Sequence, residues 1–207
     1  MSLRALLSDP GATIAVVAER MDGLPLADCW AALEVLTRPE QRRLYELSSK
    51  GPPIDLEHFA PLEVGPLHAV HHRGRNTLPL PPKHRFFEKR FCRPGDGSPR
   101  LFGYNEAPSR SWLGPGYFVA YATAQRPDWI SRGAIVVDYF QVPDGAVARS
   151  WPPVVPNERG LQRFVYKGTR DFMRRVSARV AIGAAFKGEK ALDHYFVLCR
   201  EDTPPAR

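Results

Sequence analysis

From residue 64 onward the chain consists of short segments rich in aromatic and β-branched residues, which Gly and Pro interrupt. This pattern predicts strands near residues 66–73, 84–93, 99–105, 116–125, 132–142, 172–186 and 190–200. No helical block alternates with each strand, and parallel strands need such crossovers, so a parallel α/β fold is disfavoured. Seven short strands in one continuous region instead favour an antiparallel curved sheet or a small β-barrel.

Residues 1–50 have a different pattern, with apolar residues at helical spacing. Two stripes and a capping box predict three helices: Ile14, Val17 and Met21; Leu26, Trp30, Leu33 and Leu36; and Thr37 with Glu40. Helices of this length bury little surface alone and must pack on the β region of the chain. We therefore predict an α+β protein, in which a small N-terminal helical subdomain packs on a mostly antiparallel curved β-sheet or small β-barrel. The predicted units are a helical cap (1–50), a linker (51–64), an antiparallel β domain (65–202) and a disordered tail (203–207).

Positive charge is concentrated in the β region. The net charge is +7 for the whole chain, yet residues 64–207 hold 23 basic and 12 acidic residues. Such a balance favours an anionic partner, whether nucleic acid, a phosphate ligand, anionic lipid or an acidic protein. Within this region Arg175 and Arg179 would share one face of a strand over 172–186, where they could hold a phosphate or carboxylate. A solvated basic face competes with nucleic-acid binding and is favoured over it, because no known nucleic-acid motif is present.

Cysteine and histidine patterns exclude several classes of site. The three cysteines, Cys29, Cys92 and Cys199, are far apart and form no CxxC pair, which predicts reduced thiols and a cytoplasmic protein. No segment has the apolar length of a bilayer span, and the first residues do not resemble a signal peptide. A histidine cluster at His68, His71 and His72 lacks the spacing of known metal sites, so we assign no metal. Phosphate-binding and dinucleotide glycine motifs are absent, and we expect no cofactor.

A few polar residues in the predicted strands are not explained by local rules. Both faces of the strand over 84–93 mix aromatic and charged residues, so charge must face the interior or the strand must lie at an edge. Glu88 could pair with Arg90 on one face. Asp138 and His194 each interrupt an apolar face, and buried titratable groups are candidates for functional sites.

Together these residues favour a protein that binds a small molecule, anionic or amphipathic, within the β domain. Aromatic side chains would line the site, namely Tyr117, Tyr121, Tyr139 and Phe196. The polar groups orienting the ligand would be Glu88, Asp138, His194, Arg175 and Arg179. One alternative is an adaptor that binds nucleic acid or an acidic partner through the basic face. Another is a cofactor-independent lyase or isomerase that uses Asp138, His194 or Lys89. The sequence identifies no catalytic residue and no oligomeric state.

Overall fold

The computed structural model describes residues 1–202, so the predicted tail lies outside the described residues. Its centre is a closed antiparallel barrel of eight strands, in which each strand pairs with the next and the last pairs with the first. The strands are β1 (Val70–Asn76), β2 (Phe86–Cys92), β3 (Arg100–Glu106), β4 (Phe118–Ala122), β5 (Ile135–Asp138), β6 (Thr169–Arg175), β7 (Val180–Lys187) and β8 (Lys190–Arg200). The predicted α+β class with a small antiparallel barrel is confirmed.

The strand predicted over 172–186 is two strands, β6 and β7, joined by a tight turn. Backbone N–H groups of Val176 and Ser177 both donate to the carbonyl of Val180, and that of Ala178 donates to Asp22 at 2.9 Å. The turn has neither Gly nor Pro to mark it, which is why the sequence pattern continued through it. Arg175 therefore ends one strand and Arg179 precedes the next, and the prediction that they share a strand face is wrong.

Four helices precede the barrel, and three short ones lie at one of its ends or in its loops. They are α1 (Leu3–Ser8), α2 (Ile14–Asp22), α3 (Leu26–Glu34), α4 (Arg38–Ser48), α5 (Leu56–Phe59), α6 (Arg110–Leu113) and α7 (Pro127–Ile130). The predicted capping box begins α4, where the Thr37 backbone N–H donates to the Glu40 carboxylate at 2.7 Å. No helix within residues 1–202 is both long and apolar enough to cross a membrane.

The helical layer packs on the outer surface of β7 and β8. Apolar residues of α1–α4 form one buried cluster with the outward side chains of these strands, which include Val180, Ile182 and Val197. Cys29 of α3 and Cys199 of β8 are both buried in this layer, with their Sγ atoms 3.8 Å apart. The N-terminal helices thus cover one side of the barrel.

Both ends of the barrel are closed by chain segments. Residues 51–64, predicted as a linker, contain α5 and a 3-10 helix, and Ile54, Phe59 and Val64 pack into what we call the lower end. At the opposite, upper end lie the loops that join β1 to β2, β3 to β4, β5 to β6 and β7 to β8. Residues 157–168 of the β5–β6 loop, here named the cap segment, cover this end and include a 3-10 helix at Gly160–Phe164.

Candidate ligand site in the barrel

A buried lysine lies at the centre of a polar network in the upper barrel. Lys89 of β2 is 2% exposed, and its ammonium group is 3.0 Å from Asn105 Oδ1 and 3.2 Å from Asp171 Oδ2. It also donates to the Tyr139 hydroxyl. Asn105 in turn donates from Nδ2 to the Gly116 carbonyl and to Tyr139, both at 3.0 Å. Each of the three ammonium hydrogens therefore has an acceptor, as a charged amine in a protein interior requires.

Four aromatic rings surround the lysine head. Its nitrogen lies 4.9 Å from the ring centroid of Phe118, 5.0 Å from those of Tyr139 and Phe196, and 5.8 Å from that of Phe87. Interior glycines make room for two of these rings, because a Cβ at Gly103 would lie 2.3 Å from the Phe118 ring and one at Gly183 would lie 2.2 Å from the Phe196 ring. The result is an aromatic box around a single cation.

Burial changes the protonation equilibria of this network. Desolvation lowers the pKa of Lys89, and Asp171 opposes that shift. Desolvation raises the pKa of Asp171, against the attraction of Lys89, and holds that of Tyr139 well above its usual range. Wherever the shared proton resides, the Lys89–Asp171 pair carries no net charge, which matters for the kind of ligand that could approach it.

The cap segment covers this network with one aromatic ring. Tyr166 stacks on Tyr139, with ring centroids 5.1 Å apart and planes inclined by 21°. Gly116 permits this contact, since it adopts φ +55° and a Cβ there would lie 2.4 Å from the Tyr166 ring. Two side-chain amides anchor the segment: Asn157 donates to the carbonyls of Tyr117 and Tyr139, and Gln162 accepts from the Gly116 N–H at 3.2 Å.

Asp138 and Tyr121, both predicted site residues, lie together on the outside of the barrel wall. The Tyr121 hydroxyl donates to Asp138 at 2.7 Å, and the Arg170 guanidinium lies 3.2 Å from the same carboxylate. Burial, with help from this hydrogen bond, raises the pKa of Tyr121 to about 12. Arg170 also stacks on Trp129 and Phe140. Asp138 is therefore buried and paired, but it faces away from the barrel interior.

The remaining predicted aromatic and acidic residues are also outside the interior. Glu88 forms a surface ion pair with Arg90 at 2.8 Å, as the sequence suggested. Tyr117 belongs to an outer cluster with Trp151, and its hydroxyl donates to the Pro152 carbonyl at 2.5 Å. His194 is partly buried near the β7–β8 irregularity, and desolvation lowers its pKa. The structure does not bring these residues together into one site.

The two arginines proposed to hold an anion already have carboxylate partners. Arg175 lies 2.8 Å from Asp55, and Arg179 lies 3.1 Å from Asp202. Both lie at the lower end of the barrel, near Arg200. Desolvation lowers the pKa of Arg200, and the positive charges of Arg179 and Arg175 lower it further. A ligand anion would have to displace these carboxylates.

Histidines of the predicted cluster point in different directions. His68 precedes β1 and bonds to the Pro66 carbonyl, while His71 faces outward, 3.7 Å from Glu88. His72 faces the lower barrel near His58, and in the described residues none of their four ring nitrogens has a hydrogen-bond partner. Within residues 1–202 no group of three or more potential metal ligands is formed.

Two surface pockets of the described residues lie outside the barrel. One is a shallow apolar depression between α1, α2 and α3, and the other lies beside α4, Arg174 and Tyr195. In the second, Arg174 already donates to the backbone carbonyls of Tyr45, Ser131 and Arg132. The charged side chains that line these two pockets are exposed or half-buried. We place the candidate site at the Lys89 network instead, because its charged groups are buried inside the barrel.

Asn105, Asp171 and Tyr166 were not among the residues predicted from sequence. Asp171 lies just before the predicted start of its strand, so it was not assigned to a face. Its signal was local: an acid followed by apolar Phe172 and Met173, at a position that alternates inward with Met173. Tyr166 is in a loop, where no periodicity reports on orientation.

Comparisons of this chain with models of protein families, with curated proteins and with solved structures gave no match. The molecule is thus defined by its own geometry, as an up-and-down eight-stranded barrel with a buried Lys–Asp pair beneath a loop cap.

Proposed function

We propose that this protein binds a small amphipathic molecule in the upper barrel. The ligand's polar group would contact the network of Lys89, Asn105 and Tyr139, and its apolar part would take the place of the Tyr166 ring. The observation that carries this proposal is the charged amine held inside an aromatic box, beneath a segment that lies outside the strands of the barrel. Such apolar enclosures with a few convergent polar groups are the usual form of small-molecule sites.

The energetic cost of the network supports a functional role. Removing two charges from water is expensive, and replacing a buried ion pair by apolar residues of similar volume is often neutral or stabilising. A barrel of this size could be filled with apolar side chains alone, as most of its interior away from this network and His72 is. A role in ligand binding would explain why the barrel interior contains Lys89 and Asp171 despite this cost.

The net charge of the Lys89–Asp171 pair restricts the chemical class of the ligand. Because the Lys89–Asp171 pair is neutral overall, a carboxylate or phosphate placed beside it would leave one buried negative charge uncompensated. A carbonyl, hydroxyl or amide would not. We therefore favour a neutral polar group over the anionic one that the overall basic charge suggested.

Entry requires the cap segment to lift. Gly160 and Gly168 near its ends adopt φ +60° and +76°, a region in which glycine is readily accommodated. The Gln162–Gly116 contact and the Tyr166 stack would break, while the barrel strands stay paired. Loops that gate binding sites commonly move in this way.

Two fluorescent naphthalenes of similar size test the proposal: prodan, which is neutral and has a ketone, and 1-anilinonaphthalene-8-sulfonate, which is anionic. We expect prodan emission to shift to the blue on titration with protein and the sulfonate to bind more weakly. Tyr166→Ala should tighten prodan binding about tenfold, because about 1.4 kcal/mol of competing contact is removed. Tyr195→Ala, a partly buried tyrosine outside the barrel, is the matched control.

The network itself is tested by the double variant Lys89→Met/Asp171→Leu, which removes both charges together. We expect it to fold and to bind prodan at least tenfold more weakly. If neither the native protein nor Tyr166→Ala binds prodan while far-UV circular dichroism is unchanged, the proposed function is wrong.

The structure offers less to the nucleic-acid alternative. Four arginines of the basic β region lie on different strands or turns of the barrel and already contact acceptors: Arg170, Arg174, Arg175 and Arg179. A cytoplasmic location remains part of the proposal, supported by three buried free thiols among the described residues.

A further inference from the structure

The upper end of the barrel carries a patch of exposed apolar side chains on elements that contact one another. Phe164 is 68% exposed and Trp112 is 62% exposed, although α6 packs on the 3-10 helix of the cap segment. Phe140 is near Gly168, at the end of the cap. We call this set the upper patch: Trp112, Phe140, Leu161, Phe164 and Val165. Large apolar side chains exposed together on neighbouring elements are candidates for contact with another molecule.

Basic residues alternate with the apolar ones. Arg159, Arg163 and Lys167 are exposed along the cap segment, and Glu158 is the one acidic residue among positions 157–168. The Arg163 guanidinium lies 4.7 Å from the Phe164 ring centroid, so charge and apolar surface are directly adjacent. An occupant must therefore offer both negative charge and an apolar layer close beneath it.

We propose that the upper patch docks on the surface of an anionic lipid membrane. The apolar side chains would enter the boundary between head groups and acyl chains, while the three basic side chains contact lipid phosphates. Leu161 and Val165 distinguish this surface from a nucleic-acid platform, which uses flat aromatic rings for stacking and gains nothing from aliphatic chains. This inference rests on the proposed function, since the membrane would be the source of the amphipathic ligand and the docked segment is the one that must open.

Flotation with phosphatidylcholine vesicles, prepared with and without phosphatidylserine, tests the proposal. We expect the full chain to float with the anionic vesicles, to float much less with the neutral ones, and to be released by high salt. Arg163→Gln/Lys167→Gln should lower the partition coefficient about thirtyfold, because each basic residue near an anionic surface contributes about 1 kcal/mol. Arg20→Gln/Lys50→Gln removes the same charge from the helical layer and is the control.

The apolar contribution is tested separately. Leu161→Ser/Phe164→Ser should reduce flotation at least tenfold, whereas Leu62→Ser at the lower end, where the side chain is 61% exposed, should leave it unchanged. Absence of flotation with either vesicle, or equal loss in the Leu62→Ser control, would overturn the proposal.

Two further measurements assign the patch to other occupants if membranes fail. Binding of a single-stranded oligonucleotide that is lost in Phe164→Ser would indicate nucleic acid, and a concentration-dependent dimer lost in the same variant would indicate a second copy of the chain. Either result contradicts membrane docking. Prodan titration of the native chain separates the two proposals, because prodan binding without vesicle binding leaves the proposed function intact and removes only this inference.

Discussion

Lys89 and Asp171 show how a small barrel tolerates charge in its interior. Each polar hydrogen of the lysine has an acceptor, and the neighbouring amide and hydroxyl bond to one another as well. Satisfied networks of this kind rigidify a core, but they make each member dependent on the others. Because every polar group of the network already has a partner, a ligand must displace an internal side chain rather than fill empty space.

Removing one charge of the pair should be far more damaging than removing both. Lys89→Met leaves a buried carboxylate without its cation, and we expect it to lower the free energy of unfolding by about 3–5 kcal/mol at pH 7. Lys89→Met/Asp171→Leu should recover most of that loss. Urea denaturation measures both. Because burial raises the pKa of Asp171, the penalty in Lys89→Met should shrink as the pH falls and the acid is protonated; a penalty independent of pH would contradict this.

The burial of His58 and His72 predicts that the free energy of unfolding decreases in acid. Burial, reinforced by the charges of Arg175 and Arg200, lowers the pKa of His58 to about 3, and burial holds that of His72 well below its usual 6.5. The unfolded chain then binds more protons than the folded one below pH 6.5. Stability present above that pH is lost as the pH falls toward 3, by about 1.4 kcal/mol per unit for each histidine.

Unfolding free energy measured between pH 7 and pH 4 checks this expectation. His58→Leu should flatten the dependence, whereas His68→Leu, at an exposed position, should leave it as in the native protein. An equal slope in the native protein and in His58→Leu would show that His58 does not carry the effect.

At the level of elements, the capping of α4 offers a direct test of a local rule. The Glu40 carboxylate accepts from the Thr37 backbone N–H and also pairs with Arg4 of α1 at 2.6 Å. Glu40→Ala should therefore lower the unfolding free energy by about 1 kcal/mol, as loss of a cap typically does. Glu46→Ala, on the exposed side of the same helix, should change it by less than about 0.5 kcal/mol. Thermal denaturation of the two variants distinguishes them.

The sequence does not determine which face of strand β2 points into the barrel. Both faces mix aromatic and charged residues: His84, Phe86, Glu88, Arg90 and Cys92 on one, and Arg85, Phe87, Lys89 and Phe91 on the other. The structure turns Phe87, Lys89 and Phe91 inward, because Asp171 and Asn105, on strands distant in sequence, supply the partners of the lysine. No local pattern reports such partners, so the strand could be predicted but not its polar face.

Other elements were predictable for a clear reason. The helices have a 3.6-residue period with a capping box, and the β7–β8 hairpin is marked by Gly188, which adopts φ +58° in the turn. The β6–β7 turn lacks such a marker and takes its cap from Asp22 of α2. Three N-terminal helices and the β7–β8 hairpin were therefore predicted from their own residues, whereas the β6–β7 turn, completed by a distant group, was not. Helix α1 was also not predicted, although Ser2 caps it.

At the scale of the whole molecule, the helical layer and the barrel meet at a pair of thiols. Disulfide bonding requires Sγ atoms about 2.0 Å apart, and those of Cys29 and Cys199 are 3.8 Å apart. A mild oxidant such as diamide should join them with a small shift of α3 and raise the thermal midpoint, because the loop so closed is long. Mass spectrometry would show the loss of two hydrogens and a peptide linking the two residues. Cys92→Ser should oxidise like the native protein; a cross-link involving Cys92 would contradict the geometry.

Closure of the barrel by β1 and β8 also constrains the order of events during synthesis. The helices of residues 3–48 emerge from the ribosome before the strands that cover their apolar faces, because β7 and β8 follow the other six strands in the chain. Until then the nascent chain exposes both that helical surface and the unpaired edge of β1. Folding of this protein should accordingly be late, slow and sensitive to chaperones, with the final strand completing two interfaces at once.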